Sequence, residues 1–130
     1  MYYINCGVPT LMLYTQSYNN VIEIQGDGRV LGFVPDISTY AKVKKIKLNP
    51  GDVIFSCTEG LIESQSLRGE SFGKARLQKS IMENLNYSAN KITQFTYENL
   101  REFTSKEQAA DITCLAMKIF ADKDGANGAT

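Results

Sequence analysis

The chain has 130 residues, enough for one domain that buries roughly two thirds of the surface its unfolded form exposes. Lys plus Arg and Asp plus Glu both number 14, so no overall charge directs the protein to nucleic acid, a membrane surface or an acidic partner. The sequence contains no His, which excludes Ser-His-Asp and Cys-His catalysis and argues against a zinc site. Any metal would therefore have oxygen ligands, which suit magnesium or manganese.

The lack of a recognisable targeting signal and the pattern of the cysteines predict a protein in a reducing compartment. The sequence has no apolar run of membrane-spanning length, and its first ten residues do not resemble a signal peptide. Cys6, Cys57 and Cys114 are odd in number, widely spaced and placed in apolar runs, which predicts reduced thiols that pack as small hydrophobic groups. We therefore expect a cytoplasmic protein.

The first third of the chain predicts short strands. Residues 2–6 form the first, and because it starts almost at residue 1, we expect part of the domain to lie upstream. Residues 11–15 and 21–25 predict a hairpin around the polar turn at 17–20. Residues 30–36 predict a loop or a very short strand, since Gly32 and Pro35 interrupt the pattern.

A lysine-rich strand is predicted at residues 40–48. Its apolar positions change parity between Val43 and Ile46, which indicates a bulge near Lys44 and Lys45. Its four lysines could bind phosphate or could form the solvated edge of a sheet. The edge interpretation is favoured, because lysines protect strand edges from pairing with other chains.

The predictions of the fold and of a candidate site are both built around residues 48–64. Asn49-Pro50-Gly51-Asp52 is a turn signal, and the apolar run 53–57 that follows predicts a strand buried on both faces. Thr58-Glu59-Gly60 then predicts a turn that places a carboxylate at the end of the strand and a Gly where backbone can approach a ligand. Glu63 offers a second carboxylate. The stretch is either a core strand followed by a polar turn or the rim of a site.

Two helices and a last strand complete the chain. Residues 74–84 carry Leu77, Ile81 and Leu85 on one face, and a second helix runs from a Ser88 cap to about residue 103. Residues 112–120 predict the final strand, and 121–130 predict a disordered tail. This order predicts an α+β fold, a mostly antiparallel β-sheet with two consecutive helices on one face.

Four segments resemble a known family in order and in spacing. Residues 3–9 read Y-I-N-C-G-V-P, residues 49–63 contain P-G-D and T-E-G-L-I-E, residues 69–73 read G-E-S-F-G, and residues 111–115 read D-I-T-C-L. They resemble the motifs Y-x-N-A-G-H-P, P-G-D…T-D-G-L-T-E, G-E-x-F-G and D-D-I-T-L-L of SpoIIE-type protein phosphatases, a bacterial branch of the PP2C (PPM) family. The resemblance covers roughly residues 2–120 and corresponds to the C-terminal half of the family's domain.

The resemblance implies a fold, a reaction and a partner. Residues 1–120 would be part of a PP2C-like α-β-β-α sandwich that holds two Mn²⁺ or Mg²⁺ ions and hydrolyses phosphoserine or phosphothreonine. The family's typical substrates are phosphorylated anti-sigma-factor antagonists of the STAS type. Because half of the sandwich has no counterpart here, we also expect exposed apolar surface and a homodimer.

The family's metal ligands are only partly matched. Glu59 replaces the Asp of T-D-G, Glu63 keeps the acidic type at its position, and Ala110 replaces the first Asp of D-D-I-T. Asp111 is adjacent, but neighbouring residues at a strand start point to opposite faces. Asp111 would therefore need a shift in strand register to replace the lost ligand. The resemblance therefore implies a degenerate metal site of Glu59, Glu63 and Asp111, next to Gly60, with no catalytic residue assigned.

Two functions remain open at this point. The chain is either part of a phosphatase whose remaining residues lie upstream, in which case the chain alone is inactive, or a catalytically dead regulatory or binding module derived from such a phosphatase.

Overall fold

The computed structural model describes residues 1–8, 10–24, 35–36, 38, 42–106 and 111–122. Within them, six strands form two antiparallel sheets, and three helices are present. The strands are β1 (Tyr2–Tyr3), β2 (Thr10–Thr15), β3 (Asn20–Glu23), β4 (Lys44–Lys45), β5 (Val53–Cys57) and β6 (Cys114–Lys118). The helices are α1 (Glu59–Glu63), α2 (Gly73–Glu83) and α3 (Ala89–Phe103).

The larger sheet is built around β5. Its strand order is β3-β2-β5-β6, and every neighbouring pair is antiparallel. In register, Phe55 of β5 lies between Met12 of β2 and Ala116 of β6. Val53, Ile54 and Phe55 are all 3% exposed or less, which confirms the prediction of a strand buried on both faces.

Helices α2 and α3 cover one face of this sheet, as their periodicity predicts. Leu77 and Ile81 of α2 and Ile92 and Leu100 of α3 are buried against the sheet residues. Ser88 caps α3, since its hydroxyl accepts a hydrogen bond from the Lys91 amide at 3.2 Å. The α+β architecture with two consecutive helices is therefore confirmed.

A buried polar contact joins the two helices. The hydroxyls of Ser80 on α2 and Thr96 on α3 lie 3.2 Å apart, and the Asn99 amide donates to the Ser80 hydroxyl at 3.0 Å. Each of these groups has a partner, so the contact fixes how α2 and α3 pack without leaving a buried group unpaired.

Of the helices that the structure describes, none is both long enough and apolar enough to cross a membrane.

The predicted hairpin is confirmed. Strands β2 and β3 pair from Met12↔Glu23 to Thr15↔Asn20, and the turn between them covers residues 16–19. Asn19 takes a φ of 48°, a left-handed conformation that Asn adopts more readily than most residues. The Tyr14 hydroxyl donates a hydrogen bond to the Asn19 side chain at 2.9 Å and closes the turn.

Three predicted strands are too long. The strand predicted at 2–6 ends at Tyr3, and the Asn5 carboxamide oxygen accepts hydrogen bonds from the backbone amides of Gly7 and Val8, which turns the chain. The strand predicted at 40–48 is reduced to Lys44–Lys45, which pairs with β1. The last strand covers Cys114–Lys118 instead of 112–120.

Other predictions fall on residues whose structure is not described. Most of the loop predicted at 30–36, the first two residues of the strand predicted at 40–48, and residues 123–130 of the predicted tail lie outside the described residues. Two consecutive residues of β4, Lys44 and Lys45, each pair with one residue of β1. A bulge would leave an extra residue on one strand. The bulge expected at Lys44 and Lys45 is therefore absent from the pairing that the structure describes.

The second face of the larger sheet is also apolar. Leu13 and Ile54 lie at its centre and are 5% and 3% exposed. Around them, Ile22, Leu115 and Met117 are 44%, 57% and 38% exposed. The sheet therefore has one face covered by helices and one face with large apolar side chains in contact with solvent.

The three cysteines are free, as the sequence predicts. Cys57 is buried, whereas Cys6 and Cys114 are partly buried. Cys57 and Cys114 are directly opposite each other on β5 and β6, on the face that packs against the helices.

Candidate functional site at the end of the central strand

A buried carboxylate fixes the start of β5. Asp52 is 1% exposed, and its two oxygens accept hydrogen bonds from the backbone amides of Gln16 at 3.0 Å and Asn49 at 2.9 Å. The first bond ties β5 to the hairpin turn, and the second closes the Asn49–Asp52 turn. Gly51 takes a φ of 94°, which other residues rarely adopt. The turn thereby sets the direction and register of β5.

The opposite end of β5 leads directly into α1. Sequence analysis predicts a turn at Thr58-Glu59-Gly60, but Glu59 is the first residue of the five-residue helix α1. Thr58 ties this helix to the segment before β6, because its amide donates to the Thr113 carbonyl and its hydroxyl accepts from the Thr113 amide, both at 3.0 Å. The position of α1 is therefore fixed by the last strand.

The two glutamates predicted for the site are brought together. Glu59 and Glu63 are the first and last residues of α1, and residues four apart lie on one face of a helix. Both side chains are exposed, and both line a cavity of about 360 Å³. The described residues that line the rest of the cavity are Thr10, Ile62 and Lys74.

Lys74 and Thr10 are the residues that sequence reasoning missed. Lys74 lies in the first turn of α2 and forms an ion pair with Glu23 of β3. Thr10 is the first residue of β2 and is 1% exposed. The G-E-S-F-G segment marks the start of α2, but nothing in the sequence indicates that this start lies beside α1.

Asp111, the third predicted ligand, is placed differently. It is exposed and lies before β6, and its side chain is not among the described groups that line the cavity. Its main-chain oxygen instead packs against Gly60, where a Cβ atom would come within 2.3 Å of it. Sequence analysis predicts that a ligand comes close to Gly60. In the structure, the group that comes close to Gly60 is the main-chain oxygen of Asp111. Ala110 lies outside the described residues.

The described side chains do not fit a pair of divalent cations. Among the residues that the structure describes, no group of three or more His, Cys, Asp or Glu side chains could hold a metal ion. The cavity supplies two carboxylates, from Glu59 and Glu63, and an ammonium group from Lys74. A pair of such cations needs several oxygen ligands that converge on it, and a nearby ammonium group opposes their charge.

The neighbouring thiols are not nucleophiles at neutral pH. Burial raises the pKa of Cys57 to about 12, and the Cys114 thiol opposite it adds to this shift. A hydrogen bond with Thr10 and the charge of Lys74 act in the other direction and only partly offset it. Burial likewise raises the pKa of Cys114 to about 11. Thiolate catalysis at this end of β5 is therefore disfavoured.

Comparison with solved structures identifies the fold. The chain is similar to the PP2C domain of SiaA from Pseudomonas aeruginosa, with 20% identity and a TM-score of 0.69, over 85% of this chain and 42% of that one. It is similar to the RsbU and RsbW domains of a Mycobacterium tuberculosis protein, with 25% identity and a TM-score of 0.73, over 92% and 32%. It is also similar to the SpoIIE phosphatase domain of Bacillus subtilis, with 13% identity and a TM-score of 0.68, over 93% and 51%.

Among curated proteins, Protein IcfG of Synechocystis is 25% identical over 116 residues. This match covers 88% of the chain but 18% of the relative, so the chain spans less than a fifth of that protein's length. In the solved structures above it spans between 32% and 51% of each matched chain.

A family model covers nearly the whole sequence. The model described as stage II sporulation protein E (SpoIIE) matches residues 1–120. The four motifs, the antiparallel sheet covered by α2 and α3, and the placement of Glu59 at the end of β5 all lie within this match. The chain therefore belongs to the SpoIIE family of PP2C-like phosphatase domains.

Proposed function

We propose that the chain is the C-terminal part of a metal-dependent Ser/Thr protein phosphatase domain and that this chain alone does not hydrolyse phosphate esters. The observation that carries the proposal is the cavity at the end of β5, where Glu59 and Glu63 converge and the structure describes no third acidic side chain. The family match and the partial coverage of every relative above support it. Binding the Mn²⁺ or Mg²⁺ of the family would need further oxygen ligands that the described residues do not supply.

Hydrolysis of p-nitrophenyl phosphate with excess Mn²⁺ tests this proposal. We expect the wild-type chain to turn over no faster than Glu59→Gln, which keeps the size of the side chain and removes its charge. Glu98→Gln, on the exposed surface of α3, serves as the matched control. Mn²⁺-dependent hydrolysis that Glu59→Gln abolishes and Glu98→Gln preserves would contradict the proposal, and would mean that Asp111 or a second subunit completes the site.

A second candidate function is a regulatory binding module without catalysis. The ion-paired Lys74 beside the two glutamates favours it, because an ammonium group in this cavity reduces its attraction for metal cations. The resemblance suggests a phosphoprotein partner in the cytoplasm, such as a STAS-type anti-sigma-factor antagonist. Calorimetric titration with the phosphorylated and unphosphorylated partner discriminates the two candidates. A binding module forms a stable complex with one form, whereas an incomplete phosphatase part binds neither tightly.

We further propose that the chain associates as a homodimer through the apolar second face of the larger sheet. Ile22, Leu115 and Met117 are exposed there, and a second copy that covered them would remove apolar surface from water. Sedimentation across micromolar to millimolar concentrations should show a dimer that Leu115→Lys shifts to monomer. A wild-type chain that stays monomeric over this range would rule out the dimer.

A further inference from the structure

Strand β6 forms one edge of the larger sheet, and its only partner strand in that sheet is β5. Two hydrogen bonds at its ends show which of its residues bond to β5. The Thr58 amide donates to the Thr113 carbonyl at 3.0 Å, just before β6. The Ile119 amide donates to the Asp52 carbonyl at 2.9 Å, just after it. Because hydrogen-bonded and non-hydrogen-bonded pairs alternate along an antiparallel ladder, the odd-numbered residues between these ends bond to β5.

The even-numbered residues of β6 direct their main-chain groups away from the sheet. These residues are Cys114, Ala116 and Lys118. No hydrogen bond among the residues that the structure describes uses their amides or carbonyls. The outer side of β6 therefore carries a row of main-chain donors and acceptors, which is the template that another strand needs for pairing.

This edge lacks the features that commonly prevent pairing with another chain. Strand β6 contains no Pro and pairs with β5 without a bulge. Its one charged residue, Lys118, directs its ammonium group to the carbonyls of Leu85 and Tyr87 at 2.7 and 2.9 Å. By contrast, the opposite edge strand β3 ends in Glu23, which forms an ion pair with Lys74. Of the two edges of this sheet, β6 is the one suited to pairing.

We propose that two copies of the chain pair along β6, antiparallel and centred on Ala116, so that their larger sheets join into one continuous sheet. A second copy fits this edge because β6 is complementary to itself. Ala116 then lies opposite the same residue of the second copy, and Cys114 lies opposite Lys118 on each side of it. All the outward main-chain groups are used, in about six hydrogen bonds. An axis at Leu115 or Met117 would pair only part of them within β6.

The side chains of β6 are compatible with this axis. Leu115 lies opposite Met117 of the second copy on the open face, where both are exposed in the single chain. No like charges meet, since Lys118 lies opposite Cys114. The contact is one short strand long, so it belongs with the small interfaces of weak, concentration-dependent dimers. The inference rests on the proposed homodimer and specifies β6 as the part of the second face at which the two copies meet.

Cross-linking of introduced cysteines tests the pairing and its register. In this arrangement the Cα atoms of Leu115 and Met117 lie about 4.5 Å apart across the axis, within disulfide range, whereas the two copies of either residue lie roughly 7–8 Å apart, beyond it. We expect Leu115→Cys and Met117→Cys to form a cross-linked dimer when they are mixed and oxidised with diamide, and neither to do so alone. About half of the dimers in the mixture contain one chain of each variant and can cross-link.

Two controls accompany this experiment. The wild-type chain, oxidised in the same way, reports cross-links through the three native thiols. Ile22→Cys is the matched variant, because Ile22 is exposed on the same face but lies on the opposite edge strand, and its mixture with Met117→Cys should not cross-link. Cross-linking of the Ile22 mixture in place of the Leu115 mixture would overturn edge pairing and leave a homodimer that stacks face to face. Cross-linking by Leu115→Cys or Met117→Cys alone would overturn the register.

A proline at the centre of β6 gives a second measurement. The Ala116 amide points away from β5, so Ala116→Pro removes a donor from the edge and none from the ladder with β5. Each copy loses one hydrogen bond across the axis, and we expect sedimentation to show a dimer at least about fivefold weaker, whereas Ala116→Ser keeps the amide and the wild-type affinity. If Ala116→Pro keeps its circular dichroism and dimerises as tightly as the wild-type chain, the pairing is overturned. A wild-type dimer that fails these tests overturns edge pairing alone, whereas a wild-type chain that stays monomeric rules out the homodimer itself.

Discussion

Replacing Asp52 by Ala would remove the carboxylate that holds the start of β5. Asp52 is 1% exposed, and its oxygens accept hydrogen bonds from the amides of Gln16 at 3.0 Å and Asn49 at 2.9 Å. Hydrogen bonds to a charged group contribute about 1.5–3 kcal/mol each, and both donors are partly buried, so part of the loss is recovered through water. We therefore expect Asp52→Ala to lower the free energy of unfolding by about 2–4 kcal/mol.

Asp52→Asn separates the two bonds. The amide side chain has nearly the same shape but only one acceptor oxygen, so one of the two backbone amides loses its partner. We expect a loss of about 1–2 kcal/mol, between the wild-type chain and Asp52→Ala.

Urea denaturation followed by circular dichroism measures these differences. Glu98→Ala, an exposed position on α3, is the control and should change stability by less than about 0.5 kcal/mol. A loss below about 0.5 kcal/mol for Asp52→Ala would show that the turn holds without its carboxylate, and would refute the role that we assign to this residue.

Three further changes test the core, the close approach at α1 and the buried thiol. Leu77→Ala, at a side chain that is 0% exposed, should cost about 2–5 kcal/mol in urea denaturation, whereas Leu67→Ala, at one that is 74% exposed, should cost almost nothing. Gly60→Ala places a Cβ within 2.3 Å of the Asp111 carbonyl oxygen, so it should lower the melting temperature by several degrees, and an unchanged value would contradict the contact. Burial raises the pKa of Cys57 from an ordinary value near 9 to about 12, so the unfolded chain loses this proton first as pH rises. Stability should therefore fall between about pH 9 and pH 12, and less steeply in Cys57→Ala, when unfolding free energies are measured across this range.

Elements whose pattern is local could be predicted from the sequence. The apolar run of β5, the 3.6-residue period of α2 and α3, and the Ser88 cap each depend on neighbouring residues, and each is present in the structure. The lengths of β1 and β4 could not be predicted in the same way. A strand ends where its partner ends, and the partners here are more than forty residues apart in the sequence. Helix α1 was missed because five residues are too few to show a helical period.

The candidate site likewise contains one part that local sequence spacing predicts and one part that depends on contacts between distant residues. Glu59 and Glu63 are four residues apart, so their shared face follows from sequence spacing once α1 is recognised as a helix. Lys74 reaches the same cavity from a different helix, and its partner Glu23 comes from the edge strand β3. Such a contact depends on how α2 crosses the sheet. The packing of the core sets that crossing, and periodicity in the sequence does not reveal it.

The alternation in β6 supports the proposed homodimer interface on the second face of the sheet. Cys114 and Ala116 point toward the helices, while the larger Leu115 and Met117 point to the open face, 57% and 38% exposed. A sheet face in contact with water usually carries polar side chains. Apolar side chains on both faces of a strand are instead typical of a sheet that is covered on both faces. Covering what remains exposed of these side chains would stabilise the assembly by about 1–1.5 kcal/mol for Leu115 and about 0.5–1 kcal/mol for Met117. The same strand pairs with β5, and Thr113 just before it is hydrogen-bonded to Thr58 at the start of α1, so a partner on this face would contact the strand next to the segment that holds α1.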